Sequence, residues 1–133
     1  MIVVDTNIVA YLLLPGERTP QARMALLKDP EWVAPLLWRS EFCNVLARYM
    51  RQNRLTLTDA LELAEQAEAL FDGREYLVES RDVLSLCATS GCSAYDCEFA
   101  ALALRLGVPL VTADTELLRS FPSSVSLDAF AQA

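Results

Sequence analysis

Histidine is absent from this chain of 133 residues. Its absence removes Ser-His-Asp and Cys-His catalysis, imidazole general bases and histidine-bearing zinc sites. Any chemistry must come from carboxylates, hydroxyls, thiols, arginine or a bound metal. Lysine is almost absent too. The positive charge rests on ten arginines and Lys28 against 18 acids, for a net charge of −7. That balance speaks against a general affinity for nucleic acid. A local arginine surface can still hold phosphate, because the planar guanidinium donates two parallel hydrogen bonds. No apolar run approaches the roughly 20 residues that a membrane helix needs. Met1-Ile2-Val3-Val4 runs into Asp5 with no basic, small-residue leader, so a soluble cytoplasmic protein is the expectation.

Hydrophobic residues make up 53% of the chain and charged residues 22%. A real core follows, and the length fits one domain over residues 1–133. The cysteines are Cys43, Cys87, Cys92 and Cys97. The last three are evenly spaced, which matches no zinc pattern, so reduced and mostly buried thiols are expected.

Strand and helix signals alternate. Met1–Val4 reads as a strand buried on both faces. Thr6-Asn7 offers a cap for a short helix to Leu13, which Pro15-Gly16 stops. A second helix spans Arg18 or Pro20 to Lys28, and Trp32–Ala34 reads as a brief strand. From Leu36 to Gln52 the apolar residues Phe42, Val45, Leu46, Tyr49 and Met50 share one helix face. Thr58 is the expected cap of the next helix, closed by Asp72-Gly73. Glu75–Val78 suggests a short strand and Ser80–Thr89 a helix. Ser93–Asp96 opens an almost uniformly apolar helix, expected at the centre of the fold, which Gly107 ends. Val108–Thr112 is another buried strand, Asp114 starts a short helix, and Val125–Phe130 adds a last strand or helical turn. Such alternation implies a parallel sheet between helices with right-handed crossovers.

Four acids stand out against this frame. Asp5 and Asp114 directly follow buried strands, at the carboxyl edge where open α/β sheets place their sites. Asp96 lies in the first turn of the most apolar helix, where the dipole favours an anion. Glu41 borders an apolar stripe and needs a partner, since desolvating a lone carboxylate is costly. Four carboxylates gathered together repel one another, and a divalent cation such as Mg²⁺ removes the conflict. The ion can then activate water for phosphodiester cleavage without histidine. Each acid also has a purely structural reading. Asp5 can cap a helix, Ser93 and Asp96 have capping-box spacing, Asp114 suits a first turn, and Glu41 can pair with Arg48. Glu98 is expected to face solvent or an ion pair on another side of its helix.

Val3-Val4-Asp5-Thr6-Asn7, Ser40-Glu41-Phe42 with Asn44-Val45-Leu46, Tyr95-Asp96 with Ala100–Ala103, and Leu110–Asp114 together resemble the PIN-domain family. Their order and intervals look most like VapC-type toxins of toxin–antitoxin pairs, over essentially the whole chain. The resemblance implies a PIN-like three-layer α/β/α sandwich with a short, mostly parallel sheet. It further implies Mg²⁺- or Mn²⁺-dependent endoribonuclease activity, with Asp5, Glu41, Asp96 and Asp114 holding the metal. Thr6, Asn7 and Thr112 match supporting polar positions, and Glu116 can share or replace the role of Asp114. A homodimer, a cognate antitoxin and structured RNA substrates are implied as well. Arg48, Arg51 and Arg54 form the one tight basic group and are candidate RNA contacts; pairing with Glu62 or Glu65 is the structural alternative.

Two other readings compete. A receiver or dehalogenase-like phosphoryl-transfer domain also places an Asp after a strand. The former requires a lysine after a late strand and the latter a second Asp where Asn7 stands. A catalytically silent PIN-like module that binds RNA or protein is the other alternative, although it would have no use for four clustered acids.

Overall fold

The computed structural model describes residues 1–132. Its elements are β1 (Ile2–Val4), α1 (Thr6–Leu13), α2 (Thr19–Lys28), β2 (Trp32–Pro35), α3 (Leu37–Arg51), α4 (Leu57–Leu70) and β3 (Glu75–Tyr76). There follow α5 (Ser80–Ser90), α6 (Ala94–Leu106), β4 (Leu110–Thr112), α7 (Thr115–Ser120), β5 (Ser124–Ser126) and α8 (Leu127–Gln132).

The strands form one sheet in the order β3-β2-β1-β4-β5, and every pairing is parallel. β1 is central. Ile2 and Val3 register with Trp32 and Val33 of β2, while Val3 and Val4 register with Leu110 and Val111 of β4. All three β1 residues are buried, as a strand covered on both faces requires. The chain first winds from β1 through β2 to β3, then returns past β1 to β4 and β5. Right-handed crossovers in opposite directions put the two sets of helices on opposite faces. They also open a crevice beyond the carboxyl ends of β1 and β4, where the winding reverses.

Helix α6 is the most deeply packed, burying Cys97, Phe99, Ala100, Ala101, Leu102 and Ala103. It lies against β1, β2 and β4. Burial of a side chain such as Phe99 or Leu102 contributes roughly 1.5–3 kcal/mol, so the position of Asp96 on this helix is firmly set. Trp38 of α3 stacks on Phe71, with ring centroids 4.7 Å apart, which fixes α3 against the end of α4.

Several local expectations need correction. Asp5, rather than Thr6 or Asn7, is the N-cap of α1. The cap of α4 is Thr56 and not Thr58. Thr56 Oγ1 accepts the Asp59 N–H at 3.1 Å, and the Asp59 carboxylate accepts the Thr56 N–H at 3.0 Å. That reciprocal pair satisfies two end groups at once, which Thr58 alone could not do. The strands expected over Glu75–Val78 and Val108–Thr112 shorten to Glu75–Tyr76 and Leu110–Thr112. Residues 125–130 supply both a strand ending and a helix. Among the described residues no helix is long and apolar enough to cross a membrane. All four cysteines are free; Cys92 and Cys97 are buried, whereas Cys43 is exposed.

Candidate active site

Asp5 sits where β1 ends, and its N–H donates to Val111 O of β4 at 3.3 Å. Only 6% of the residue is exposed. One carboxylate oxygen accepts the Ile8 N–H at 3.3 Å and the other accepts the hydroxyl of Thr112. Burial pushes its pKa up to about 6, and the charge of Asp114 adds to the rise despite these hydrogen bonds.

Thr112 closes β4 and is fully buried. Besides donating to Asp5, its Oγ1 accepts the Asp114 N–H at 3.0 Å. Asp114 is the N-cap of α7, and its Oδ1 accepts N–H groups from Glu116 at 2.8 Å and Leu117 at 3.1 Å. One hydroxyl therefore ties the Asp5 carboxylate to the backbone of Asp114.

Glu41 arrives from α3. Its Oε1 accepts the hydroxyl of buried Thr6 at 2.7 Å, so the side chain is held toward the start of α1. Burial raises its pKa first, followed by repulsion from Asp96 and Glu98. Asp96 stands in the first turn of α6, whose N-cap Ser93 accepts the Asp96 N–H at 3.1 Å. Its pKa is also raised, by burial and then by Asp114 and Glu116.

Asp5, Glu41, Asp96 and Asp114 line a single cleft of about 240 Å³, together with Thr6, Asn7, Asn44 and Arg48. Four elements far apart in sequence meet there. Among the described residues, ion pairs join Arg39 to Glu68 and Glu75, Arg105 to Glu79 and Asp82, and the N-terminal ammonium to Asp29. No such pair reaches the four cleft acids. The Glu41–Arg48 pairing is therefore not made, although Arg48 borders the same space, and neither is a pairing of Arg48, Arg51 or Arg54 with Glu62 or Glu65. Arg54 instead lies over the Tyr49 ring at 4.4 Å, and Arg51 is exposed.

Glu116 is exposed and lies outside the cleft lining, close enough only to repel Asp96. Glu98 departs from expectation. It is partly buried and close enough to Glu41 to raise that residue's pKa, rather than serving an ion pair. Its position two residues from Asp96 concealed this, because helical spacing gives no measure of what α3 brings alongside.

The cleft suits a hard divalent cation by its donors: carboxylates, hydroxyls and amide oxygens, with no imidazole or thiol on its lining. Among the described residues, no three metal-binding side chains form a ready coordination cluster. An open arrangement of this kind fits an ion that keeps several waters and binds through a few carboxylates and the phosphate of a substrate. Burial, and after it repulsion between the acids, holds three of them above their usual pKa, which is the electrostatic condition a cation relieves.

Known proteins share this fold. The chain is 30% identical to Ribonuclease VapC3 of Pyrobaculum aerophilum over 128 residues, covering 94% of this chain and 98% of that relative. The fold is similar to the crystal structure of PAE2754 from the same organism, with a TM-score of 0.79, 20% identity, and 98% and 93% of the two chains covered. It is similar as well to a toxin–antitoxin complex from Klebsiella pneumoniae, with a TM-score of 0.64, 20% identity, and 96% and 98% covered. The PIN domain family model matches residues 2–120. The chain belongs to the PIN domain family.

Proposed function

We propose that this chain is a VapC-type endoribonuclease toxin, a single nuclease unit over residues 1–133 that depends on Mg²⁺ or Mn²⁺. One observation carries the reading: four carboxylates, at the N-caps of α1 and α7 and on α3 and α6, line one cleft without a cationic partner among the described residues. Maintaining that repulsion costs stability and makes sense as a site for a cation and a phosphate. Full-length similarity to a ribonuclease of the VapC type supports the same activity.

Asp5, Glu41, Asp96 and Asp114 would hold the ion. A bound divalent cation supplies an activated water and neutralises charge that develops on the cleaved phosphodiester. The chain's own residues provide the positioning. Thr112 and the Ile8 N–H fix Asp5, and Thr6 fixes Glu41. The N–H groups of Glu116 and Leu117 orient Asp114. Asn7 is exposed on the rim and supplies an amide that can reach substrate. Arg48 is the arginine on the cleft lining and would meet an adjoining phosphate. Arg51 and Arg54 extend the same helix end and would contribute a weaker field.

By the same reading the protein works in the cytoplasm on structured RNA as a homodimer, and a cognate antitoxin silences it. The test is incubation of the purified chain with a mixed RNA pool in Mg²⁺ and in excess EDTA, beside Asp96→Asn. Cleavage by the wild type in Mg²⁺ alone supports the reading. Cleavage that persists in EDTA or in folded Asp96→Asn overturns it, and no cleavage under any condition favours a silent binding module.

A further inference from the structure

We infer that a second cavity, adjoining the acid cleft, receives an unpaired nucleotide of the RNA next to the scissile bond. The identity of the strand rests on the nuclease reading above. This cavity, of about 370 Å³, lies between α1, the loop that follows it and α3. Asn7, Val45 and Arg48 line both spaces, so Arg48 stands at their junction. The volume falls in the range of small-molecule sites, about 300–1,000 Å³.

Its chemistry is opposite to that of the cleft. Arg18, Arg48, Tyr11 and Tyr49 line it, with Glu17 as the one acid among the lining residues. The Arg18 guanidinium lies 5.5 Å from the centre of the Tyr11 ring, and that of Arg54 lies 4.4 Å from the centre of the Tyr49 ring. Both tyrosines line the cavity and each carries an arginine over its ring, Arg18 from the lining itself and Arg54 from beyond it, in a chain of net charge −7. The loop that carries Arg18 is tied down. Thr19 Oγ1 donates to Tyr11 O at 2.6 Å and accepts the Gly16 N–H at 3.0 Å, and Thr19 is buried.

A base has two faces and an edge, and single-stranded RNA is held by stacking its bases on aromatic rings or guanidinium planes while basic groups follow the phosphates. The guanidinium planes laid over Tyr11 and Tyr49 offer one such surface, and the parts of the two rings that line the cavity offer the other. A phosphate at Arg48 would place one neighbour in the acid cleft and the other in this cavity. A duplex cannot insert a base there without unpairing it, so the segment taken is unpaired: a loop, a bulge or an end.

The experiment uses the full chain in an Asp96→Asn background with Mg²⁺, so that RNA stays intact, and measures anisotropy of a labelled RNA hexamer. Arg18→Glu and Arg81→Glu change the net charge equally, but only Arg18 lines the cavity. Arg18→Glu should weaken binding about fivefold or more, the size of one stacked base, and Arg81→Glu less than about twofold. In hexamers carrying 2-aminopurine at successive positions, one position should show quenching that Tyr11→Leu removes. A hairpin-free duplex of the same sequence should bind more weakly than the single strand. Equal losses for the two glutamate variants, quenching indifferent to Tyr11→Leu, or equal binding of duplex and single strand would each overturn the proposal. Site-specific binding by a chain that never cleaves RNA refutes the nuclease reading and leaves the subsite standing; cleavage indifferent to Arg18 and Tyr11 does the reverse.

Discussion

The buried hydroxyl of Thr112 donates to the carboxylate of Asp5, a contact across 107 positions of sequence. The same oxygen accepts the Asp114 N–H. One side chain thus sets the position of two acids and favours the charged form of the more buried one. Thr112→Val removes this donor and keeps the shape. The Asp5 pKa should rise further above about 6, and the acidic limb of the pH–rate profile should move to higher pH. The orphaned acceptor should also cost about 1–3 kcal/mol in urea unfolding. Thr112→Ser should restore both. An unshifted limb in folded Thr112→Val would contradict this role.

Asp5 itself makes a prediction about stability. Its pKa stands near 6 in the folded protein against 3.8 for an ordinary aspartate. The folded state thus holds this proton more tightly than the unfolded chain does. Ionising Asp5 therefore costs stability as pH rises from about 4 to about 6, and the full cost, of order 3 kcal/mol, persists above that range. Asn is also a good N-cap, so Asp5→Asn preserves the end of α1. Without divalent cations, Asp5→Asn should melt several degrees above wild type at pH 7.5, with a smaller gap at pH 5. A midpoint at or below that of wild type at both values would contradict a stability cost of ionising Asp5.

Asp114 and Glu116 separate by position. Asp114 lines the cleft, whereas Glu116 is exposed and merely adds negative charge near Asp96. Asp114→Asn keeps the cap of α7 and should lower RNA cleavage by roughly 100-fold or more, as expected for loss of a preorganised group at the reacting centre. Glu116→Gln should change it only a few-fold. The reverse order, measured as kcat/KM on one RNA, would assign the fourth position to Glu116.

Arg48 should be felt in the salt dependence of binding. Loss of one phosphate contact lowers the slope of log K against log salt by about 0.7 for a single strand. Arg48→Ala should show that decrease, while Arg23→Ala, exposed on α2, should not. Identical slopes in the two variants would remove Arg48 from the RNA interface.

Much of this architecture was written in local patterns. Continuous apolar runs ending in Asp5 and shortly before Asp114 marked the central strands, and the apolar face of Phe42, Val45 and Leu46 marked α3. Side-chain competition between neighbours was less legible. Thr56 and Thr58 are both plausible caps, and the reciprocal partner Asp59 decided for Thr56. The short β5 and α8 divide one ambiguous segment, because three strand residues beside a single turn carry little periodicity. Long-range contacts were hidden altogether: Thr6 with Glu41, Thr112 with Asp5, and Glu98 beside Glu41. The arginine–tyrosine cavity was equally invisible, since Arg18 follows a Pro-Gly turn and meets Tyr11 only once that turn folds back.

The central claim is that separated acids jointly hold a divalent ion in one cleft. Calorimetric titration of Mn²⁺ into the wild type, folded Asp5→Asn and folded Asp96→Asn tests it without any choice of RNA. The account predicts saturable binding to the wild type and a large loss of affinity in both variants, although Asp5 and Asp96 come from different elements. Equal affinity in all three proteins, or no binding to the wild type at millimolar Mn²⁺ and neutral pH, would contradict it.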